Sequence, residues 1–176
     1  MELPNFKYHP NPLATGSVKP SDAKCRCCGK STGYIYAASV YAKEELQEEI
    51  CPWCIANGEA AEQFGALFSD DEPLLEEGIS PEICAEVSER TPGFNSWQQE
   101  EWLSHCNDAC EFHGDAPKHE LEALSGSEKK VFLSRNYLKE KDWENVLRHY
   151  QLGGNPAVYK FVCRHCKAVL YGMDFT

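Results

Sequence analysis

The sequence predicts an α+β protein in which two zinc-centred knuckle and β-hairpin modules, the first of them treble-clef-like, are joined by several α-helices. Three observations lead to this prediction. The 176-residue chain contains ten cysteines, and eight of them fall into four close pairs. Runs rich in valine and aromatic residues adjoin two of these pairs, as expected for the strands of hairpins. Capped runs with apolar positions at helical spacing lie between the two modules.

The composition is that of a globular protein in water, because 42% hydrophobic and 26% charged residues are ordinary values. No apolar run approaches the ~18 residues of a membrane span. The opening segment contains Pro4, Pro10 and Pro12 where a signal peptide needs an apolar stretch, so we expect a cytoplasmic protein. Thiols stay reduced in the cytosol, and the paired cysteines are therefore expected to bind metal rather than to form disulfides.

The first predicted zinc site has four cysteine ligands. They are Cys25, Cys28, Cys51 and Cys54. Gly29 follows the second cysteine and lets backbone N–H groups turn toward the sulfurs, as in a zinc knuckle. The tyrosine-rich stretch 33–41 predicts a hairpin, and Pro52 suits the first position of a helix that runs to Phe64. This order of knuckle, hairpin and helix predicts a treble clef around one tetrahedral zinc ion.

The second predicted zinc site also has four cysteine ligands. They are Cys106, Cys110, Cys163 and Cys166. The last two lie between the strand-like runs 158–162 and 169–175, which predicts a knuckle inside a hairpin. The first two follow an amphipathic run predicted to be helical, where a spacing of four residues places them on one face. In an alternative mixed site, one sulfur is replaced by His105, His113 or His165.

Two cysteines remain outside these pairs. Cys27 is expected to point away from the first zinc ion, because the knuckle uses its two neighbours. Cys84 lies on a helix predicted over residues 81–90, where it is expected to be a small buried apolar residue. A catalytic role is the alternative for either thiol, although neither has an obvious paired base in the sequence.

The remaining elements follow from capping and breaking signals. Ser80 and Pro81 begin one helix, and Ser96 begins a second whose Trp97 and Trp102 are expected to face the core. Ser127 begins a third helix, and Asp142 begins a fourth. Residues 1–68 are therefore predicted to form an N-terminal zinc module with an extended N-terminal segment. Residues 69–176 form a helical region with the second zinc module, and the two parts pack as one compact unit.

Charge is segregated along the chain, whose formal net charge is −11. Residues 44–122 contain two basic and twenty-one acidic residues, whereas both flanking segments are basic. One interpretation is that the basic ends fold back over the acidic middle. The other is that an acidic face binds a basic partner.

Three other hypotheses concern chemistry. A metal-dependent hydrolase could use the His105–Asp115 region, including Asp108, but four cysteines would close the zinc coordination shell. Residues 91–98 could line a groove for a ring-bearing ligand, or could form only a turn and a helix start with Trp97 in the core. A nucleic-acid-binding module could stack bases on tyrosines, although the negative net charge opposes phosphate contacts. Those tyrosines are Tyr8, Tyr34, Tyr36 and Tyr41.

Four segments resemble the CbrC family of small bacterial proteins, over roughly residues 3–174. They are Cys25-x-x-Cys28-Gly29, Cys51-Pro-Trp-Cys-Ile-Ala-Asn-Gly58, the tryptophan-containing run 91–106 and Phe161-Val-Cys-Arg-His-Cys166. The resemblance implies a bacterial cytoplasmic protein associated with colicin tolerance, and it supplies no catalytic residues. Together these observations predict a non-enzymatic protein with two structural Zn²⁺ ions that binds another protein, its acidic segment being the first candidate surface.

Overall fold

A computed structural model describes residues 2–175, among which it contains seven strands and seven short helices. In chain order these are β1 Val18–Lys24, β2 Ser31–Tyr36, α1 Pro52–Ala56, α2 Glu59–Phe64, α3 Glu72–Glu76, α4 Pro81–Arg90, β3 Ser104–His105, β4 Asp108–Ala109, β5 Glu111–Asp115, α5 Lys118–Glu122, α6 Gly126–Arg135, α7 Glu140–His149, β6 Ala157–Val162 and β7 Val169–Asp174. The protein is therefore mixed α and β, as the sequence predicts. Within the described residues, no helix is both long and apolar enough to cross a bilayer.

The strands form three small antiparallel sheets. β1 pairs with β2, β3 pairs with β4, and β5, β6 and β7 form a three-stranded sheet in that order. β6 and β7 are in continuous register from Ala157 opposite Asp174 to Val162 opposite Val169. Each of the two Cys-x-x-Cys motifs at Cys25 and Cys163 therefore occupies the turn of an antiparallel hairpin.

Three clusters of buried side chains hold these elements together. The first, from Phe6 to Phe68, includes the thiols of Cys25, Cys51 and Cys54. The second gathers aromatic rings around Trp102, with Phe94 and Phe112 stacked at a centroid distance of 4.1 Å. The third lies between α6, α7 and the three-stranded sheet. Each cluster is small, and cross-links by metal would therefore matter for stability.

Several predicted elements are confirmed. α4 spans Pro81–Arg90 with Pro81 at its first position, and β6 and β7 flank the second knuckle within one residue of the predicted runs. The helix expected to run from Pro52 to Phe64 is present as α1 and α2, interrupted where Gly58 adopts the left-handed conformation at φ +81°.

Two predicted elements are wrong. The stretch 33–41 does not fold back on itself, because β2 pairs with the preceding strand β1. The knuckle therefore lies in the turn of a hairpin rather than before one, and the treble-clef order is not found in the described residues. The helix predicted from Ser96 is also absent, and Trp97 is 50% exposed whereas Trp102 is 1% exposed.

The first buried cluster is joined to the second through backbone contacts around Gly93. The Phe68 N–H donates at 2.7 Å to the carbonyl of Ser88, on the helix α4 that contributes Cys84 and Val87 to the second cluster. A Cβ atom at Gly93 would lie 1.7 Å from the Phe68 carbonyl oxygen. Only glycine therefore permits this approach between the two parts of the chain.

We expect Gly93→Ala to lower the free energy of unfolding by about 3 kcal/mol or more. The added methyl group would force the backbone at residue 93 away from that at Phe68 and so separate the first two clusters. Urea unfolding followed by circular dichroism measures the change. Gly126→Ala is the matched control, because no atom lies within 4 Å of a Cβ at Gly126, in the first turn of α6. We expect that control to be neutral or slightly stabilising. Equal stability of the two variants would contradict the close approach at Gly93.

Candidate metal centres

The first centre gathers the four cysteines that the sequence pairs in this part of the chain. The Sγ atoms of Cys25, Cys28, Cys51 and Cys54 all lie within 4.8 Å of one another. Cys25 Sγ is 3.8 Å from Cys54 Sγ, and Cys28 Sγ is 3.9 Å from Cys51 Sγ. Four sulfurs at ~2.3 Å from one tetrahedral ion lie about 3.8 Å apart, so the cluster fits such an ion.

Disulfide bonds are excluded by the same distances, since bonded sulfurs lie about 2.05 Å apart. All ten cysteines are free thiols. Three ligands of the first cluster are buried and Cys28 is half-buried, and cysteine sulfurs are soft donors that suit zinc. The donor set therefore fits a structural zinc ion.

Backbone hydrogen bonds shape the first knuckle. The Cys25 N–H donates to the Lys30 carbonyl at 2.9 Å, and the Gly29 N–H donates to the Cys25 carbonyl at 2.7 Å with Gly29 at φ +70°. The pKa of Cys25 is lowered to about 4, first by a hydrogen bond from the Cys51 thiol and then by N–H groups of Cys27, Cys28 and Cys51. These donors stabilise the thiolate, which is the form that binds metal.

The second centre differs from the predicted set in one ligand. His105, Cys106, Cys163 and Cys166 offer ligand atoms within 4.8 Å of one another, and Cys110 is outside this group. Cys106 Sγ lies 3.8 Å from Cys166 Sγ. His105 Nδ1 lies 3.2 Å from Cys106 Sγ and 3.4 Å from Cys166 Sγ, close to the ~3.5 Å expected for nitrogen and sulfur on one zinc ion. The mixed alternative with three cysteines and His105 is the arrangement found.

Cys110 lies elsewhere because the chain here forms strands and not a helix. Residues 106 and 107 form a two-residue turn between β3 and β4, with φ values of +54° and +56°. This turn directs Cys106 toward the second knuckle. Cys110 follows β4, is fully buried in the aromatic cluster, and accepts a hydrogen bond from Trp102 Nε1 at its carbonyl oxygen. Burial raises the pKa of the Cys110 thiol to about 12.

The second knuckle repeats the backbone geometry of the first. The Cys163 N–H donates to the Ala168 carbonyl at 2.8 Å, and the Lys167 N–H donates to the Cys163 carbonyl at 3.1 Å. Lys167 takes the left-handed conformation at φ +62°, where the first knuckle has glycine. Burial alone raises the pKa of Cys163, but N–H groups of Cys166 and His165 lower it to about 6.

Asp108 holds the second knuckle in position through hydrogen bonds to its side chains. It is 6% exposed, and its carboxylate accepts hydrogen bonds from Tyr8 Oη at 2.7 Å, Arg164 Nη1 at 3.1 Å and His165 Nε2 at 2.8 Å. Burial raises the pKa of Asp108, but these partners outweigh it and hold the pKa below its ordinary value. Arg164 and His165 are the two residues between Cys163 and Cys166, so Asp108 positions the knuckle and His165 is turned toward Asp108.

We expect Asp108→Asn to weaken metal binding at the second centre by about 10–100-fold, the range for residues that orient ligands. The first centre should be unchanged, because Asp108 contacts only the second knuckle among the metal-binding segments. Competition with a chromophoric chelator measures both affinities in one titration. An unchanged affinity of the second centre would contradict this positioning role.

One cavity of about 790 Å³ lies beside the three-stranded sheet and away from both centres. Phe94, Trp97, Phe112 and Tyr159 contribute its rings, and Asp115 contributes a carboxylate. Trp97 Nε1 donates to the Gly154 carbonyl at 2.9 Å, which holds the indole ring at the cavity edge. Gln98, which the sequence analysis also placed in a groove, donates instead to the Phe175 carbonyl.

Residues 3–175 match the family model described as the uncharacterised protein family UPF0167. A UPF0167 protein of Pseudomonas aeruginosa is 47% identical over 175 residues, which cover 99% of this chain and 98% of the relative. UPF0167 proteins of Mycobacterium bovis and Mycobacterium tuberculosis are each 38% identical over 179 residues, which cover 99% of this chain and 94% of each relative. No solved structure matches the chain.

These matches confirm that the chain resembles a bacterial family, which is described as uncharacterised. The names of the family and of these relatives mention neither CbrC nor colicin tolerance. The matched range contains the seven thiols and the histidine of the two centres. The chain therefore belongs to the UPF0167 family.

Proposed function

We propose that the protein is a non-enzymatic zinc protein in which two zinc ions cross-link the fold and the surface binds a protein partner. The observation that carries this proposal is the tetrahedral spacing of four ligand atoms in each of two clusters. Each cluster supplies four ligands, which fill a structural zinc site and leave no position for water. We also propose that residues 1–68 and 69–176 each depend on one of these ions while packing as one unit.

The geometry gives less support to the two alternative functions. In the hydrolase hypothesis, His105 or Asp108 would act on a substrate or a water molecule. His105 is instead grouped with the three cysteines as a metal ligand. The Asp108 carboxylate already accepts hydrogen bonds from Tyr8, Arg164 and His165. In the nucleic-acid hypothesis, the tyrosines should be free to stack on bases. Tyr8 and Tyr36 are instead fully buried, and Tyr41 donates to the Glu100 carboxylate.

Within the acidic segment 44–122, we propose that the helix α3 forms the partner-binding surface. Glu72, Leu75 and Glu76 are exposed at helical spacing, with Leu75 44% exposed between the two carboxylates. Neither glutamate forms an ion pair within residues 2–175, whereas Glu77 pairs with Arg135 and accepts from Ser104. An apolar residue flanked by free acidic groups suits a basic protein partner with an apolar anchor.

Metal analysis and affinity capture test the two parts of this proposal separately. We expect purified protein, dialysed to remove loosely bound metal, to retain two zinc ions per chain. We expect Glu72→Lys with Glu76→Lys to keep both ions and to lose a partner that the wild type captures. Glu144→Lys, an exposed site on α7, is the control and should retain that partner. Fewer than two ions refutes the zinc role, and unchanged capture refutes the α3 surface.

The resemblance to the CbrC family adds a cellular hypothesis, in which this cytoplasmic protein contributes to colicin or stress tolerance. Deletion of the gene should then lower survival after colicin exposure. Complementation by the wild type, and failure of complementation by the α3 double variant, would tie the phenotype to the proposed partner surface. Equal survival of deleted and complemented cells would contradict this link.

A further inference from the structure

A third group of possible ligands lies beside the first zinc centre. It consists of Cys27, Cys54 and Glu59, whose ligand atoms all lie within 4.8 Å of one another. Cys54 also belongs to the first centre, so the two groups share one sulfur. Cys27 is expected from the sequence to point away from the first ion, and its sulfur falls in this group and not in the first one.

The distances suit a metal ion. Cys54 Sγ lies 3.6 Å from Glu59 Oε2. A sulfur at ~2.3 Å and a carboxylate oxygen at ~2.1 Å from one tetrahedral ion lie about 3.6 Å apart. Cys27 Sγ lies within 4.8 Å of both Cys54 Sγ and a Glu59 carboxylate oxygen. A thiolate sulfur has lone pairs for two metal ions, so Cys54 can bridge.

Charge favours a cation at this position. A zinc ion with four thiolates carries a formal charge of −2, and Glu59 adds another negative charge next to Cys54. Among residues 2–175, Glu59 forms no ion pair with a lysine, arginine or histidine. A divalent cation between Cys54 and Glu59 would offset this charge at short range.

Local structure holds Glu59 in place for this role. The Glu59 N–H donates to the Asn57 side-chain oxygen at 3.0 Å, and Gly58 makes the left-handed turn from α1 to α2. This sharp turn brings Glu59, which opens α2, back toward Cys54 in α1. The Glu59 carboxylate is therefore held next to Cys54, a ligand of the first centre.

We propose that Cys27, Cys54 and Glu59 bind a further divalent, thiol-preferring metal ion, with Cys54 bridging it to the ion of the first centre. The site has three protein ligands and one position open to solvent, unlike the two closed centres. Binding releases the proton of the Cys27 thiol to solvent as the metal–sulfur bond forms. Because this ion has only three protein ligands and shares one of them with the first centre, we expect it to bind more weakly and to load only when free metal is in excess. The inference depends on the zinc role proposed above.

Cadmium titration of the full chain tests this site, because ¹¹³Cd replaces zinc on thiolates and is visible by NMR. We expect three ions per chain at saturation and three resonances, two of them split by coupling through the shared Cys54 sulfur. Cys27→Ser and Glu59→Gln should each lower the saturation value to two and remove the splitting. Glu62→Gln, also exposed on α2, is the matched control and should behave as the wild type.

The outcomes separate the two proposals. Saturation at two ions with unsplit resonances overturns the bridged site and leaves the two structural centres standing. A third ion that is unaffected by both Cys27→Ser and Glu59→Gln also overturns it, since that ion binds elsewhere. Fewer than two tightly bound ions in the wild type overturns the zinc role itself. Loss of a third ion in both variants, with two retained, supports the bridged site.

Discussion

Cys51→Ser is expected to remove the first zinc ion and to lower the free energy of unfolding by more than about 4 kcal/mol, the size of change seen when a structural metal is lost. Cys51 lies at the start of α1 and is fully buried, and its N–H also donates to Cys25 Sγ at 3.3 Å. Serine offers a poor zinc ligand there, so three sulfurs would remain around an incomplete site. The second ion should stay bound.

Metal analysis and thermal unfolding measure this change, with Cys84→Ala as the matched control. Cys84 is equally buried but belongs to no group of possible ligands in the described chain. We expect the control to keep both zinc ions and to lose about 1–2 kcal/mol from the small cavity that it creates. If Cys51→Ser retained two ions and unfolded like the wild type, the first centre would not be a metal site.

His105→Ala and Cys110→Ala give opposite results if the second centre is the mixed set. His105→Ala is expected to weaken binding of the second ion by more than about 100-fold, beyond the range for residues that only orient ligands. Cys110→Ala should keep both ions, because its thiol faces the aromatic cluster. His105→Cys should restore binding with four sulfurs. Ion loss in Cys110→Ala alone would instead support the predicted four-cysteine site.

Local sequence signals predict an element correctly where its bounds depend on its own residues. Pro81 at the first helical position fixes the start of α4, and the break after Arg90 fixes its end. The Cys163 knuckle lies between two β-rich runs that pair with each other in continuous register. These features need no partner from distant parts of the chain, so their prediction is reliable.

Long-range contacts decide the elements that the sequence analysis missed. The backbone after Ser96 is irregular, with a bend at residues 97–98, because the Trp97 N–H donates to the Asp174 carboxylate and Trp102 Nε1 donates to the Cys110 carbonyl at 2.8 Å. Both partners lie on other elements, so helix-capping rules cannot detect them. β2 likewise pairs with β1, whose sequence contains Pro20 and no regular alternation of apolar residues.

His105, which the sequence offers only as an alternative ligand of the second centre, had a weak local signal. Asn107 and Asp108 after Cys106 are residues that favour turns, and asparagine tolerates a positive φ. A two-residue turn at this point reverses the chain, and both the His105 ring and the Cys106 thiol lie beside Cys166. A helix would have placed Cys110 on the same face as Cys106, whereas the strands found here leave Cys110 outside the group of close ligand atoms.

In the proposed two-zinc protein the two centres differ in burial, and we expect this difference to set the order in which a chelator removes the ions. Three of the four thiols at the first centre are buried, whereas Cys106 and Cys166 at the second are exposed. A competing ligand can approach the outer ion without any unfolding, but it reaches the inner ion only when the surrounding core opens. Mild chelation should thus yield a long-lived, half-loaded form in which the C-terminal hairpin is loosened and residues around Cys51 keep their ion.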